Sequence, residues 1–246
     1  MKKWNWQIRL GLALVVLSVL VYFFHYLIFR DTHHIFIYLI GDIAFVFFEV
    51  LLVTLIIHRM LSEREKRSRL EKLNMVIGAF FSEVGTELMA YLSDSDPKLH
   101  EIRKELVVTT KWTDQQFNAV SKRLKNYDYS ITIQKVNLAD LRNFLKNKRD
   151  FLLRLLENPN LLEHEEFTDL LRAVFHITEE LQERVDLEEL PDTDTMHLAG
   201  DIKRAYVYLV HQWLDYMRHL KANYPYLFSL AMRINPFDKE ASPIVR

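Results

Sequence analysis

Apolar residues run almost unbroken from Leu10 to Phe29 and again from Ile35 to Ile57, separated only by Arg30-Asp-Thr-His-His34. Each run reaches the ~20 residues that a helix needs to cross the hydrocarbon core of a bilayer. So short a connection forces the two spans into an antiparallel hairpin. The first run is too long for the apolar core of a secretory signal and ends in Tyr26-Leu-Ile-Phe-Arg30 rather than in small residues, so it reads as a retained span.

Past the second run the pattern turns from continuous to periodic. Leu70, Leu73, Ile77, Phe80, Val84, Leu88 and Tyr91 recur at spacings of three and four, which extends the helix as a juxtamembrane rod over 59–94. Such a stripe packs either on the chain's own domain or on copies of itself as a coiled coil. Gly78 and Gly85, seven apart, share a face that permits close helix approach.

From residue 95 onward, helical segments alternate with turn signals. Pro97 opens a short helix over 99–108, and Thr113-Asp-Gln-Gln116 resembles a capping box for a helix to about Asn126. Tyr127–Val136 alternates β-branched residues, but one strand cannot make a sheet, so an ordered connection is expected. Asn137 caps a helix through Glu157, which Asn158-Pro-Asn160 ends. Further helices are expected from about Glu163 to Leu187 and from about Thr195 to Asn223. An apolar segment over 227–234 and a frayed tail after Pro236 complete the chain. The predicted fold class is all-α: a transmembrane hairpin (1–58), the rod (59–94) and an irregular helical bundle (95–246).

Composition supports this reading and narrows the chemistry. Five glycines and six prolines in 246 residues favour long helices, and the absence of cysteine excludes disulfides, thiolate metal sites and cysteine nucleophiles. The net charge of −1 hides a segregation. Lys2, Lys3, Arg9 and Arg30 precede the second span against Asp31 alone. Six basic residues face three acidic ones over 59–72, and the rest of the chain is net acidic. An acidic domain is a poor nucleic-acid binder, so no nucleic-acid partner is expected. Arg59, Arg64, Lys66, Arg67 and Arg69 sit where anionic lipid headgroups would lie. The positive-inside rule places both termini in the cytoplasm, with Trp4 and Trp6 at the inner interface and Tyr22 and Tyr26 in the outer half.

Asp42 and Glu49 fall inside the second span, seven residues apart and so within about 20° of each other on a helix. A charged, unpaired acid at the bilayer centre costs roughly 2.5–3.5 kcal/mol on insertion scales, so the stripe should face protein. His25 lies within about a turn of Asp42 across the hairpin, which makes that pair geometrically reasonable. Two roles are open for the acids. They hold helices together as protonated hydrogen-bond donors, or they line a path for cations or protons through a ring of second spans. Either requires self-association, because two spans alone cannot easily hide two acids.

In the soluble part, His211, Asp215 and His219 are four apart and form a column that could ligate a divalent metal or simply be solvated. Glu163-His-Glu-Glu166 and His176 with Glu179 and Glu180 are weaker versions. Asp192-Thr-Asp194 lacks the remaining ligands of a calcium loop. No paired Glu-x-x-His motifs, glycine-rich phosphate loop, Gly-x-Ser-x-Gly elbow or His-Glu-x-x-His motif occurs, so neither an enzyme nor a bound cofactor is expected.

The stretch Asp42–Leu88 resembles prokaryotic two-span membrane proteins, which implies a prokaryotic cytoplasmic membrane as its location. The functional expectation is a non-enzymatic, self-associating integral membrane protein. Its helical domain would bind a cytoplasmic protein partner or sense a signal. The alternative is a homo-oligomeric cation or proton channel lined by Asp42 and Glu49.

Overall fold

A computed structural model describes residues 6–159, 161 and 164–245, with the side chains of Gln7 and Arg67 outside that set. Lys2, Lys3, Trp4 and Glu163, singled out above, also lie outside it. Every regular element among the described residues is helical. The chain divides into two compact units, residues 1–66 and 67–246.

The first unit holds α1 (Trp6–Phe29) and the beginning of α2 (Thr32–Phe80). Only Arg30 and Asp31 separate the two helices, so the turn is tighter than the five-residue connection expected. Arg30 takes a left-handed conformation (φ 48°), and its N–H donates to the Tyr26 carbonyl at 2.8 Å. Asp31 accepts from the His34 N–H at 3.2 Å, satisfying a free donor of the first turn of α2. Both helices are long and apolar enough to cross a membrane. Their large side chains stay exposed: Phe23 is 55% and Phe47 74% accessible.

The second unit begins with the last turns of α2. A π-helical turn follows at Phe81–Gly85, then α3 (Thr86–Ser93). Thr86 holds this wide turn: its N–H and its hydroxyl both donate to the Phe81 carbonyl, the hydroxyl at 2.8 Å. Two 3-10 turns, Leu99–Glu101 and Arg103–Leu106, replace the single helix expected over 99–108. They are followed by α4 (Asp114–Lys125), a 3-10 turn at Ile133–Lys135, α5 (Leu138–Leu156), α6 (Glu165–Glu183), α7 (Asp192–Asn223) and α8 (Pro225–Arg233).

Local chemistry fixes most of the starts. Thr113 and Gln116 form a reciprocal capping box on α4, and Asn137 Oδ1 accepts from the Asp140 N–H at 3.1 Å on α5. The His164 imidazole caps α6 by accepting from the Phe167 N–H at 3.2 Å, with Glu165 and Glu166 in the first turn. Pro225 opens α8 in a position that needs no backbone donor.

The helix α6 packs between α5 and α7, and α7 also touches α3, α4, α8 and the π turn. Phe80, Phe81, Phe167, Leu88, Met89 and Tyr206 are essentially inaccessible at the centre. Full burial of side chains of this size stabilises by about 1.5–3 kcal/mol each. The periodic stripe is resolved in favour of intrachain packing. Leu73, Ile77, Phe80, Val84 and Leu88 are buried in the domain's own core, while Leu70 and Tyr91 at its ends are exposed. The tail is not frayed immediately after Pro236. Phe237 is 1% exposed and meets the Trp213 ring edge-on at 5.1 Å.

Candidate functional site

The helices α6 and α7 each carry a histidine followed four residues later by an acid: His176 and Glu180 on α6, His197 and Asp201 on α7. Four residues return to the same helix face, so each pair lies along one stripe. Packing of α6 on α7 brings the two stripes together. His176 Nε2 lies 3.2 Å and His197 Nε2 3.3 Å from the same oxygen, Asp201 Oδ2. The Glu180 carboxylate completes the group, 3.7 Å from each of the two imidazoles.

Two arginines orient the acids. Arg184 donates to Glu180 Oε2 at 2.6 Å and grips both oxygens of Asp194 at 2.6 and 2.7 Å, tying the end of α6 to the start of α7. That hydrogen bond holds the Glu180 carboxyl below its usual range, as the second keeps Asp194 below its own. Arg204 pairs with Asp201 Oδ1 at 3.0 Å. Asp201 is only 4% exposed, and its Oδ2 receives no hydrogen bond. His176 and His197 reach solvent, with about half of each side chain accessible (43% and 53%).

The sequence pointed instead to His211, Asp215 and His219. They share a column on α7, but each end has a different neighbourhood, about 12 Å apart along the axis. His211 is half-buried against the Tyr129 ring (6.1 Å), Asp215 is exposed, and His219 meets the Tyr224 ring at 5.7 Å. Among the described residues, the group of His and acid ligand atoms close enough to share an ion is that of His176, Glu180 and His197, and none of the column belongs to it. Burial, helped by Lys125, holds the His211 imidazole below its ordinary 6.5, and burial does the same to His219. His219 also borders a cleft of about 490 Å³ walled by Met75, Gly78, Phe81, Tyr216, Leu227 and Leu230.

In the hairpin, Asp42 finds a partner other than the expected one. The Tyr22 hydroxyl donates to Asp42 Oδ2 at 3.4 Å, while the His25 ring stacks on His34 at 6.3 Å. Helical side chains lean toward their own N-terminus, so Tyr22 reaches away from the turn and Asp42 leans back toward it. His25 sits too near the turn to share that level. Glu49 is exposed, and none of the described residues hydrogen-bonds or ion-pairs with it. Beyond the apolar run, Arg59 pairs with Glu63 at 3.2 Å, and Arg64, Lys66 and Arg69 have exposed side chains.

The comparisons divide the chain as the structure does. Residues 1–61 match the family model described as MJ1433, N-terminal helical domain. Residues 69–233 match that described as Uncharacterized protein MJ1433, C-terminal helical domain. The chain is 48% identical over 237 residues to Uncharacterized protein MJ1433 of Methanocaldococcus jannaschii, covering 96% of this chain and 95% of that protein. No solved structure matches. With both halves matched in order and nearly the full length aligned, the chain belongs to the MJ1433 family.

Proposed function

We propose that the protein is a non-enzymatic integral membrane protein that self-associates through its N-terminal hairpin and presents the helical domain to the cytoplasm, where it binds a protein partner or senses a signal. The surface of the hairpin carries this reading. Its two helices have mean hydropathies of 2.4 and 2.5 over their apolar windows, and among the described residues of the hairpin their large side chains stay exposed. Water does not tolerate so large a continuous apolar surface, and lipid does. Lipid in turn does not tolerate Glu49 uncovered, so a second copy of the hairpin is the natural partner for the acidic stripe. Tyr22 on Asp42 is a hydrogen bond of the kind that joins helices in a bilayer. Arg59, Arg64, Lys66, Arg67 and Arg69 then lie at the depth of anionic headgroups on the cytoplasmic side.

Stoichiometry of the full chain in nanodiscs tests the reading. We expect a defined oligomer that survives Asp42→Asn with Glu49→Gln, because amides still hydrogen-bond, and weakens with Asp42→Leu and Glu49→Leu. A monomer under all lipid conditions would overturn it. A second reading rests on the unpartnered Glu49: second spans arranged in a ring would align Asp42 and Glu49 along a cation or proton path. Vesicles carrying the protein would then conduct, and the double amide variant would abolish flux without dissociating the assembly.

A further inference from the structure

We propose that His176, His197, Asp201 and Glu180 hold one divalent transition-metal ion of the zinc class between α6 and α7. Three observations, none of them involving the hairpin, converge on the site. The first is spacing. Zinc bonds of about 2.0–2.1 Å to imidazole and carboxylate put neighbouring ligand atoms of a tetrahedron roughly 3.3 Å apart. Asp201 Oδ2 stands 3.2 and 3.3 Å from the two imidazole nitrogens. Glu180 Oε1 lies 3.7 Å from His176 Nε2 and Oε2 3.7 Å from His197 Nε2. One ligand atom from each of His176, Glu180 and His197 lies within 4.8 Å of the others, so a turn of the Glu180 carboxylate would bring it onto the same ion.

The second is an unmet need. Asp201 is 4% exposed, and neither imidazole directs an N–H at its Oδ2 in hydrogen-bonding geometry. A buried carboxylate oxygen is not left without a partner, and a cation seated between it and the two nitrogens meets that requirement. The third is the outer support. Arg204 holds the other oxygen of Asp201 at 3.0 Å, and Arg184 holds Glu180 at 2.6 Å. This leaves Asp201 Oδ2 and Glu180 Oε1 free of the arginines, which fix the carboxylates as second-shell partners do around metal ligands. Imidazole and carboxylate donors without thiolate suit zinc and its first-row neighbours. The half-exposed imidazoles leave the ion exchangeable with solvent. Its ligands come in pairs from two helices, so binding would fasten the middle of α6 to the start of α7.

The test uses the full chain in detergent, purified without a histidine tag and stripped with chelator. Co²⁺ is the spectroscopic probe, and Zn²⁺ is the competitor and the ligand in thermal melts. We expect one Co²⁺ per chain with the intense visible bands of four-coordinate cobalt, displacement by Zn²⁺, and a Tm raised by Zn²⁺. His197→Gln should weaken binding by at least about tenfold, since losing even a second-shell partner costs that much. His176→Gln with His197→Gln should abolish it. These side chains are half-exposed, so a native circular dichroism spectrum of the variants is expected to confirm their fold. His211→Gln with His219→Gln should bind as the wild type does. No cobalt bands and no Zn²⁺-dependent Tm in the wild type would overturn the proposal. So would binding that survives loss of His176 and His197, or that disappears with His211 and His219.

Discussion

The Phe81 ring leaves no room for a methyl group on Gly85: a Cβ there would stand 2.6 Å from Phe81 Cδ1, with Phe80 Cε1 at 2.8 Å. Both rings are fully buried and have nowhere to go. At Gly78 the nearest atom to an added Cβ is the Tyr216 hydroxyl at 3.5 Å, an ordinary contact. The two glycines therefore predict opposite signs. Gly85→Ala should cost about 1–3 kcal/mol through overpacking. Gly78→Ala should gain up to about 1 kcal/mol, because alanine loses less backbone entropy in a helix. Urea midpoints of the two variants check this, and equal effects would show that the wide turn does not set the difference.

Asn235 is the knot that holds the chain end. Its side-chain amide donates to the Leu106 carbonyl at 2.9 Å, and its Oδ1 accepts from the Phe237 N–H at 2.9 Å. The residue is 1% exposed, so Asn235→Ala leaves the Phe237 N–H unpaired in the interior, while the Leu106 carbonyl keeps the Val108 N–H at 3.0 Å. A loss of about 1–3 kcal/mol is expected, with faster protease cleavage in the last dozen residues. Cleavage rates equal to wild type would show that Phe237 alone seats the tail.

His211 and His219 make the domain sensitive to mild acid. Burial holds both imidazoles below their ordinary 6.5, so the unfolded chain binds protons that the folded one refuses. Their contribution is complete above that value and is lost as pH falls through 6.5 toward the lower folded values. Melting temperature should decline below about pH 6.5, and His211→Gln with His219→Gln should flatten that decline. An unchanged slope in the double variant would assign the acid sensitivity elsewhere.

The lack of cysteine makes orientation directly measurable. With the hairpin turn outside, Thr32→Cys should react with an impermeant maleimide on intact cells, whereas Ser242→Cys should react only after lysis. The converse pattern would reverse the proposed topology.

What the sequence revealed was local. Thr113 with Gln116 and Asn137 marked helix starts at the residue, because a cap and the N–H that it accepts from lie three positions apart. The apolar stripe named Leu73, Ile77, Phe80, Val84 and Leu88 as core but could not say whose core, since intrachain and interchain packing use one pattern. The His and acid cluster was only half visible. His176 and Glu180 stood out on α6, but His197 and Asp201 gain meaning only once the register of α6 against α7 is known. Two H-x-x-x-acid pairs on helices joined by a short connection were the available signal. The Tyr22–Asp42 hydrogen bond depended likewise on the two-residue turn and on the lean of each side chain.

The wide turn at Phe81–Gly85 also acts as a phase shifter. It contains one more residue than an α-helical turn would, so everything from Thr86 to Ser93 is rotated by about 100° from the path that α2 alone would set. Removing a single residue from that segment would turn it into an ordinary α-helical turn and leave Leu88 and Leu92 facing the interior, whereas removing one from the helix after it would rotate every residue beyond the cut. Chains of this family should therefore bear a one-residue deletion within the wide turn, at the exposed Ser82 or Glu83, better than one in the helix on either side of it.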